Sequence, residues 1–131
     1  MSDCFILLAA GKGKRFGSKT LKQFHILNGK PLIYHSIEKA IKSKIFKEII
    51  IVTNSKIKKP KQKFVKIIKG GSERFKSSQI ALEYIKKKKF KNVFIHDAAR
   101  PNFSIKLLKK LKKELVKNKA VIPYINTDHS V

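Results

Sequence analysis

The chain has 131 residues, of which 32 are lysine or arginine and 8 are aspartate or glutamate, so its formal net charge is +24. Hydrophobic residues make up 42% of it, a share that is typical of a folded protein and excludes a disordered one. The length predicts a single domain over residues 1–131. The charge predicts acidic partners, such as nucleotides, phosphorylated metabolites or nucleic acid.

The basic residues are almost all lysine, since only Arg15, Arg74 and Arg100 are arginine. Two interpretations of the charge remain open: a genome whose codons favour lysine and isoleucine, or selection for binding a polyanion. Arginine is the side chain preferred for bidentate contacts to phosphates and bases. Its scarcity therefore argues against nucleic acid as the partner.

Cysteine occurs once, at Cys4, so no internal disulfide can form. We expect this thiol to be buried in a strand, and a protein of this kind fits a reducing cytoplasm. The first apolar run is too short for a signal peptide or a membrane span. The sequence thus predicts a cytoplasmic protein with no membrane partner.

Apolar runs alternate with segments of helical periodicity along the chain. The predicted strands span 4–9, 48–53, 64–69, 91–96 and 120–125, and the predicted helices span 31–43, 73–88 and 104–118. Ser72 and Ser104 are the predicted caps of the second and third helices. In the second helix, Ile80, Leu82 and Ile85 are the expected core residues. This order predicts an α/β fold, a Rossmann-like and mostly parallel sheet with helices on both faces.

Ligands of such sheets bind beyond the carboxyl ends of the strands. The first predicted strand is followed by "GKGKRFG" (11–17), the third by "GGSERFKS" (70–77), the fourth by "HDAARP" (96–101) and the fifth by "NTDH" (126–129). The unusual residues therefore collect at one edge of the predicted sheet.

The loop after the first strand matches neither a Walker A sequence nor a dinucleotide-binding fingerprint. Its glycines allow backbone N–H groups to approach a polyphosphate closely. Arg15 and Lys22 would add positive charge where a pentavalent phosphorus develops negative charge. The alternative interpretation is a lysine-rich surface turn.

Asp97 is predicted to lie just past the fourth strand, in a chain with few acidic residues. A carboxylate in this position is suited to hold Mg²⁺ against phosphate oxygens, and Arg100 is expected to anchor Asp97 or its loop. The alternative is an aspartate that caps a turn. His96 is predicted to be a packed residue at the strand end rather than a ligand.

Five motifs occur in order: "LAAGKGKRF", "KQF", "GKPLIYHSIE", "GGSERFKS" and "HDAARP". Together they resemble the 2-C-methyl-D-erythritol 4-phosphate cytidylyltransferase family of isoprenoid biosynthesis, whose fold is of the nucleotidyltransferase type. The resemblance implies that CTP and methylerythritol 4-phosphate, a phosphorylated polyol, give a CDP-alcohol and pyrophosphate with the aid of Mg²⁺. The substrate phosphate attacks directly, so positioning and charge stabilisation would carry the catalysis.

The resemblance also implies roles for individual residues. Arg15 and Lys22 would be catalytic, Asp97 would bind the metal, and Thr127 would lie beside the methylerythritol phosphate. The implied nucleotide-binding residues are Ala9, Ala10, Gly11, Gly13, Gly71, Ser72, Ser77 and Ala98.

The sequence departs from the family pattern at four positions. Leu21 replaces a proline, Ser72 and Asn126 replace acidic residues, and His129 replaces a lysine. The resemblance covers essentially the whole chain but only about the first half of the family's usual length. The expectation is therefore a truncated copy, with the C-terminal part of the fold and most of the arm of the expected homodimer missing.

Two other functions remain open from the sequence. One is a cytidylyltransferase that acts on ribitol 5-phosphate, which shares much of this pattern. The other is a non-catalytic module that binds polyanions through its charge, with a steep dependence on salt.

Overall fold

A computed structural model of the protein describes residues 2–10, 22–100 and 102–116. The elements in chain order are strand β1 (Asp3–Ala9), a 3₁₀ turn (Lys22–Phe24), strands β2 (Ile26–Leu27) and β3 (Lys30–Pro31), helix α1 (Leu32–Ser43), strands β4 (Phe46–Thr53) and β5 (Val65–Ile68), helix α2 (Arg74–Ile85), a second 3₁₀ turn (Lys86–Lys88), strand β6 (Asn92–Asp97) and helix α3 (Ile105–Leu115). None of the helices in these ranges is long and apolar enough to cross a membrane.

Strand β1 is the centre of the main sheet. Within the described residues this sheet has four strands in the order β5-β4-β1-β6, and each neighbouring pair runs parallel. All seven residues of β1 are buried, because the strand is covered on both faces and has a paired strand on each side. The predicted α/β fold with a parallel sheet is confirmed.

The side chains on the two faces of β1 pack in two separate hydrophobic clusters. Phe5 packs in one cluster with Ile37 of α1 and Leu108 of α3. Ile6 packs in the other with Ala81 of α2. Side chains alternate between the faces of a strand, so an unbroken apolar run serves both clusters. Helices on both faces, as predicted, follow from this pattern.

The start of β1 is held by a buried charge. Asp3 is almost fully buried, and its Oδ1 accepts a hydrogen bond from Asn92 Nδ2 at 3.1 Å. The ammonium of Lys112 lies 3.4 Å from Oδ2, as an ion pair rather than a directed hydrogen bond, since Oδ2 lacks a hydrogen-bond partner of suitable geometry among the described residues. The pair ties α3 to the edge where β1 and β6 begin.

The element boundaries refine the predictions. The predicted strand 91–96 is observed as Asn92–Asp97, so Asp97 is the last residue of the strand rather than a loop residue. The predicted helix 73–88 ends as an α-helix at Ile85 and continues as the 3₁₀ turn. The predicted strand 120–125 and the end of the third predicted helix lie outside the described residues.

The two predicted serine caps have opposite outcomes. Ser104 caps α3, because its Oγ accepts a hydrogen bond from the Leu107 N–H at 3.0 Å. The prediction for Ser72 is wrong. Glu73 takes the N-cap position of α2 and makes no capping side-chain hydrogen bond with the described residues.

The core face of α2 also differs from the prediction. Ile85 is buried as expected, but Ile80 and Leu82 are 38% and 44% exposed. The residues that face the sheet are instead Ser77, Ala81 and Ile85, which recur every fourth position and so form one ridge of the helix. Two of these three side chains are small, which lets the start of α2 lie close to the sheet.

The thiol of Cys4 provides a test of how tightly β1 is packed. Burial, with a smaller contribution from Glu48, raises the pKa of Cys4 from 9.0 to about 12. The folded protein should therefore react with a disulfide reagent at pH 8 only as fast as it unfolds, because the thiolate is the reactive form. Because the pKa is raised in the folded protein, Cys4 makes its full contribution to the free energy of unfolding below pH 9.0. That contribution declines as the pH rises toward 12.

The measurement compares the labelling rate of the wild type with that of a Ser2→Cys variant made in a Cys4→Ser background. Residue 2 is exposed, so its thiol should react at once in native buffer. Equally fast labelling of Cys4 would contradict the described packing of β1.

Candidate functional site

The carboxyl ends of the four parallel strands meet at one edge of the sheet, which we call the site edge. The register pairs Ala9 with Thr53 and Leu8 with Asp97. It also pairs Val52 with Ile68, the last residue of β5. The segments after β1, β5 and β6, which carry the three main motifs, therefore leave the sheet side by side. The prediction that they collect at one edge is confirmed for the described strands.

Asn54, the residue after β4, joins two of these segments. Its Nδ2 donates to the Gly71 carbonyl at 3.2 Å and, over a longer 3.4 Å, to the Ala10 carbonyl. Its Oδ1 accepts from the Gly70 N–H at 3.1 Å. The amide thus ties the end of the β1 segment to the double glycine after β5. Sequence reasoning missed this residue.

The double glycine approaches its neighbours closely. A Cβ at Gly70 would overlap the Cβ of Ala10 and lie 2.8 Å from Ser77 Oγ and 2.9 Å from Val52 Cγ1. The Gly71 N–H donates to Ser77 Oγ at 3.1 Å. Because Ser77 is buried, its hydroxyl supports the backbone of the loop from below.

Helix α2 begins at the site edge, where no side chain in the described ranges caps its first N–H groups. Its N-cap residue, Glu73, has an extended backbone and gives no capping side-chain bond within the described part of the chain. The first N–H groups of a helix have no partner inside the helix, and they form the positive end of its dipole. With Ser72 and Glu73 both exposed, these donors are open to solvent or to an anionic or hydrogen-bonding ligand.

Asp97 presents its carboxylate at the same edge. Oδ1 accepts a hydrogen bond from the Ala99 N–H at 2.9 Å, so it caps the turn that follows β6. Oδ2 lies 3.6 Å from the guanidinium of Arg74, and the Asp97 side chain is 31% exposed. One oxygen therefore stabilises a turn, as the alternative interpretation of Asp97 expected, and the other faces outward toward the Arg74 guanidinium.

The cation that faces the Asp97 carboxylate is Arg74, which the sequence analysis did not single out for this role. Arg100 contributes through its backbone, since its N–H donates to the Asp97 carbonyl at 3.0 Å, whereas Arg74 from the start of α2 supplies the charge. The ion pair joins the "GGSERFKS" segment to the "HDAARP" segment. No periodicity or motif spacing in the sequence indicates this contact.

A divalent cation fits this arrangement only if a bound phosphate compound and water complete its coordination. In the ranges that the structure describes, no three His, Cys, Asp or Glu side chains are grouped to hold a metal. Mg²⁺ commonly takes one or two protein carboxylates and completes its six ligands with phosphates and water. The outward oxygen of Asp97 is a suitable single carboxylate for such a site.

His96 packs beneath the turn. Its Nε2 is hydrogen-bonded with the Arg100 carbonyl, and its ring meets Phe103 edge-on at a centroid distance of 4.6 Å. Burial lowers the pKa of His96, against a smaller opposing effect of its hydrogen bond to Arg100 and of Asp97. The imidazole is therefore neutral at pH 7, and the prediction of a packed residue at the strand end is confirmed.

The "KQF" motif returns the chain to the end of β1. It forms the first 3₁₀ turn, in which Gln23 is buried and its Nε2 donates to the Ala9 carbonyl at 2.9 Å. The backbone of Lys22 is thereby set beside the site edge. Gln23 was not predicted as a site residue, although its place in the motif was a usable signal.

The predicted site residues divide into three groups. Gly71, Ser72 and Asp97 lie at the site edge with exposed or half-buried surface. Four others, Ala9, Ala10, Ser77 and Ala98, are buried at the same edge. Gly11, Gly13, Arg15, Thr127 and the side chain of Lys22 lie outside what the structure describes.

The comparison with protein families decides the assignment. The model of the family described as IspD, 2-C-methyl-D-erythritol 4-phosphate cytidylyltransferase, matches residues 4–130. The chain belongs to this cytidylyltransferase family. The resemblance found in the five motifs is confirmed, and the family, in its N-terminal portion, accounts for almost the whole chain.

Curated relatives agree with the family. The chain is 51% identical over 135 aligned positions to the bifunctional enzyme IspD/IspF of Pelagibacter ubique. This alignment covers 100% of the chain and 36% of that protein. It is 38% identical over 138 positions to the 2-C-methyl-D-erythritol 4-phosphate cytidylyltransferase of Caldicellulosiruptor bescii, covering 100% of the chain and 61% of that protein. The chain therefore spans between about a third and three fifths of these relatives' lengths.

Solved structures share the fold. The bifunctional IspDF of Campylobacter jejuni superposes with a TM-score of 0.74 at 32% identity, over 89% of this chain and 31% of that one. The IspD of Francisella tularensis gives 0.72 at 29% identity, over 90% and 54%. The cytidylyltransferases therefore have the sheet and the helix layers described above.

The close approach at Gly70 predicts the effect of a methyl group there. Gly70→Ala should lower the free energy of unfolding by about 1–3 kcal/mol, because overpacking of this kind forces the backbone to shift. The contact is with the short side chain of Ala10, which has no rotamer to move aside. Chemical denaturation of the variant and the wild type measures the difference.

Lys69→Ala is the matched control, since the neighbouring residue is exposed and its change should stay within about 0.5 kcal/mol. If Gly70→Ala is as stable as Lys69→Ala, the loop does not pass as close to Ala10 as described.

Proposed function

We propose that the protein transfers a cytidylyl group from CTP to 2-C-methyl-D-erythritol 4-phosphate, giving the CDP-alcohol and pyrophosphate. The observation that carries this proposal is the meeting of three family motifs at the site edge of one sheet. The Asp97 carboxylate, the Arg74 guanidinium and the double-glycine loop lie there beside the end of β1. In a parallel sheet this is the edge where nucleotides bind.

The reaction needs no protein nucleophile. A phosphate oxygen of the alcohol substrate attacks the α-phosphorus of CTP, the bond from that phosphorus to the bridging oxygen breaks, and pyrophosphate leaves with the electron pair. Holding the two phosphates in line removes much of the entropic barrier. Arg15 and Lys22 are the proposed groups that stabilise the added negative charge at the α-phosphorus.

The other predicted site residues take binding roles in this proposal. The backbone of Ala9, Ala10, Gly11 and Gly13 lines the triphosphate, and Ala98 supports the ribose side. Asp97 would hold Mg²⁺, which supplies neutralisation of the triphosphate charge when bound. Thr127 is proposed to contact the methylerythritol phosphate.

Cytosine is proposed to bind against the loop of Gly71 and Ser72 and the start of α2. The N–H groups of this segment suit the carbonyl and ring nitrogen of a pyrimidine, which are hydrogen-bond acceptors. Because Gly71 is held by Ser77 and Asn54, the loop is fixed before the base arrives. A fixed loop excludes a larger purine at low entropic cost.

The relatives' names favour methylerythritol phosphate over ribitol phosphate as the second substrate, because they specify the 2-C-methyl-D-erythritol 4-phosphate activity. A homodimer is proposed from the family resemblance. A cytoplasmic location is proposed because the one thiol, Cys4, is free and buried, which suits a reducing compartment.

Calorimetric titration tests the proposal with CTP, ATP and a DNA duplex, each with and without Mg²⁺. CTP with Mg²⁺ should bind more tightly than ATP, and the duplex should bind only at low salt. Tight, salt-sensitive binding of the duplex with no preference among nucleotides would instead support the polyanion-binding module.

Asp97→Asn should weaken Mg²⁺-dependent CTP binding about tenfold or more, which is 1.4 kcal/mol. The amide keeps the shape and can still accept the Ala99 hydrogen bond, but the charge for the metal is lost. Affinity measured without Mg²⁺ should change little. If the dependence on Mg²⁺ is the same in both proteins, Asp97 acts only as the cap of its turn.

Lys22→Ala, placed in a full-length context, should lower the turnover number on the order of 10²–10³ while changing CTP affinity far less. The reason is that a donor to developing charge acts mainly in the transition state. Pyrophosphate release with CTP, Mg²⁺ and methylerythritol phosphate measures it, with Lys47→Ala at the opposite edge of the sheet as the control. Unchanged turnover would remove Lys22 from the mechanism.

A further inference from the structure

The side chain of Asn54 forms hydrogen bonds both to the end of the β1 segment and to the double-glycine loop. It follows β4 directly, and its side-chain amide bonds with the Ala10 carbonyl, the Gly70 N–H and the Gly71 carbonyl. Ala10 leads into the glycine–lysine loop, and Gly70 and Gly71 begin the loop proposed to bind the base. Neither the family motifs nor the relatives' names assign a role to it.

Asn54 is an exposed residue, and the double glycine that it bonds is half-buried, so water could replace the amide at that loop. The Ala10 carbonyl belongs to a buried residue, so there the amide also satisfies the backbone. A buried polar group must be paired to avoid a desolvation penalty, but an exposed one need not be. What the amide adds is geometry, because one planar group holds three backbone atoms from two loops in a fixed arrangement.

Fixed spacing between these loops matters to a nucleotide. CTP carries its triphosphate and its base at opposite ends, so both loops must be correctly placed at the same moment. Gly70 closely approaches Ala10 and Val52, which brings the double glycine against the residue that leads into the first loop, and Asn54 supplies directional bonds at that contact.

We propose that Asn54 is a positioning residue that sets the separation of the triphosphate-binding and base-binding loops and thereby the preference for cytosine. This inference rests on the proposed function. It predicts that loss of the amide affects CTP more than ATP, because ATP binding depends on the triphosphate loop and gains little from a loop placed for cytosine.

The test measures dissociation constants of CTP and ATP, with Mg²⁺, for the wild type and for Asn54→Ala and Asn54→Asp. Asn54→Ala removes all three bonds. Asn54→Asp keeps an acceptor for the Gly70 N–H but turns a carboxylate oxygen toward the Ala10 and Gly71 carbonyls. Both variants should weaken CTP about tenfold and ATP less than about threefold, so the ratio of the two constants falls.

Asn28→Asp is the matched control. It makes the same chemical change at an exposed turn position with a φ of 50°, which aspartate tolerates. Its ratio of CTP to ATP affinity should equal that of the wild type. If a variant is only less stable, partial unfolding lowers its apparent affinities for CTP and for ATP by the same factor. The ratio of the two dissociation constants then stays constant.

Amide hydrogen exchange at Gly70 provides a second readout that is independent of the nucleotide. Exchange of the Gly70 N–H should quicken in Asn54→Ala and stay slower in Asn54→Asp. A falling affinity ratio together with this exchange pattern supports the inference. An unchanged ratio in a wild type that prefers CTP overturns it and leaves the proposed function standing, whereas a wild type with no preference for CTP overturns both.

Discussion

The rest of the structure depends on the burial of β1. Its seven residues are covered on both faces, so every backbone N–H and carbonyl in the strand must find a partner inside the protein. Parallel pairing with β4 on one side and β6 on the other meets this need. The same pairing fixes the direction of all four strands, and it therefore decides that the segments after β1, β5 and β6 emerge together.

At the end of the buried strand β1, two side-chain carboxamides donate hydrogen bonds to backbone carbonyls. Where β1 leaves the sheet, Ala9 and Ala10 still have carbonyls that require donors. Gln23 donates to the first and Asn54 to the second. Each of these side chains comes from a different segment, so satisfying the backbone also brings the "KQF" turn and the end of β4 to the site edge.

The architecture could be predicted from the sequence because strands and helices leave hydrophobic patterns that depend only on local spacing. The continuous run "CFILLA" predicted a buried strand, and "HDAARP" predicted a carboxylate at the end of a different strand, the one observed as β6. Asn54 was overlooked because the segment after β4, residues 54–63, has no glycine, no acidic residue and no arginine to mark it as a site. The rule that ligands bind where strands end would have included it.

Other features depend on packing between distant segments, which local spacing does not encode. Leu82 and Ile80 have the apolar character of core residues, yet the small side chains of Ser77 and Ala81 determine which ridge of α2 approaches the sheet. The Arg74–Asp97 pair likewise depends on where α2 starts relative to β6. Ser72 failed as a cap because the helix begins one residue later than a serine cap would require.

The strand order has a consequence for synthesis of the protein. β1 is made before the other three described strands of the sheet, but it lies between β4 and β6, and its second edge is paired only when residues 92–97 have been made. Until then one of the most apolar segments of the chain has an open edge, the condition under which nascent chains associate wrongly. The high density of lysine along the intervening segments keeps such growing chains apart by mutual repulsion.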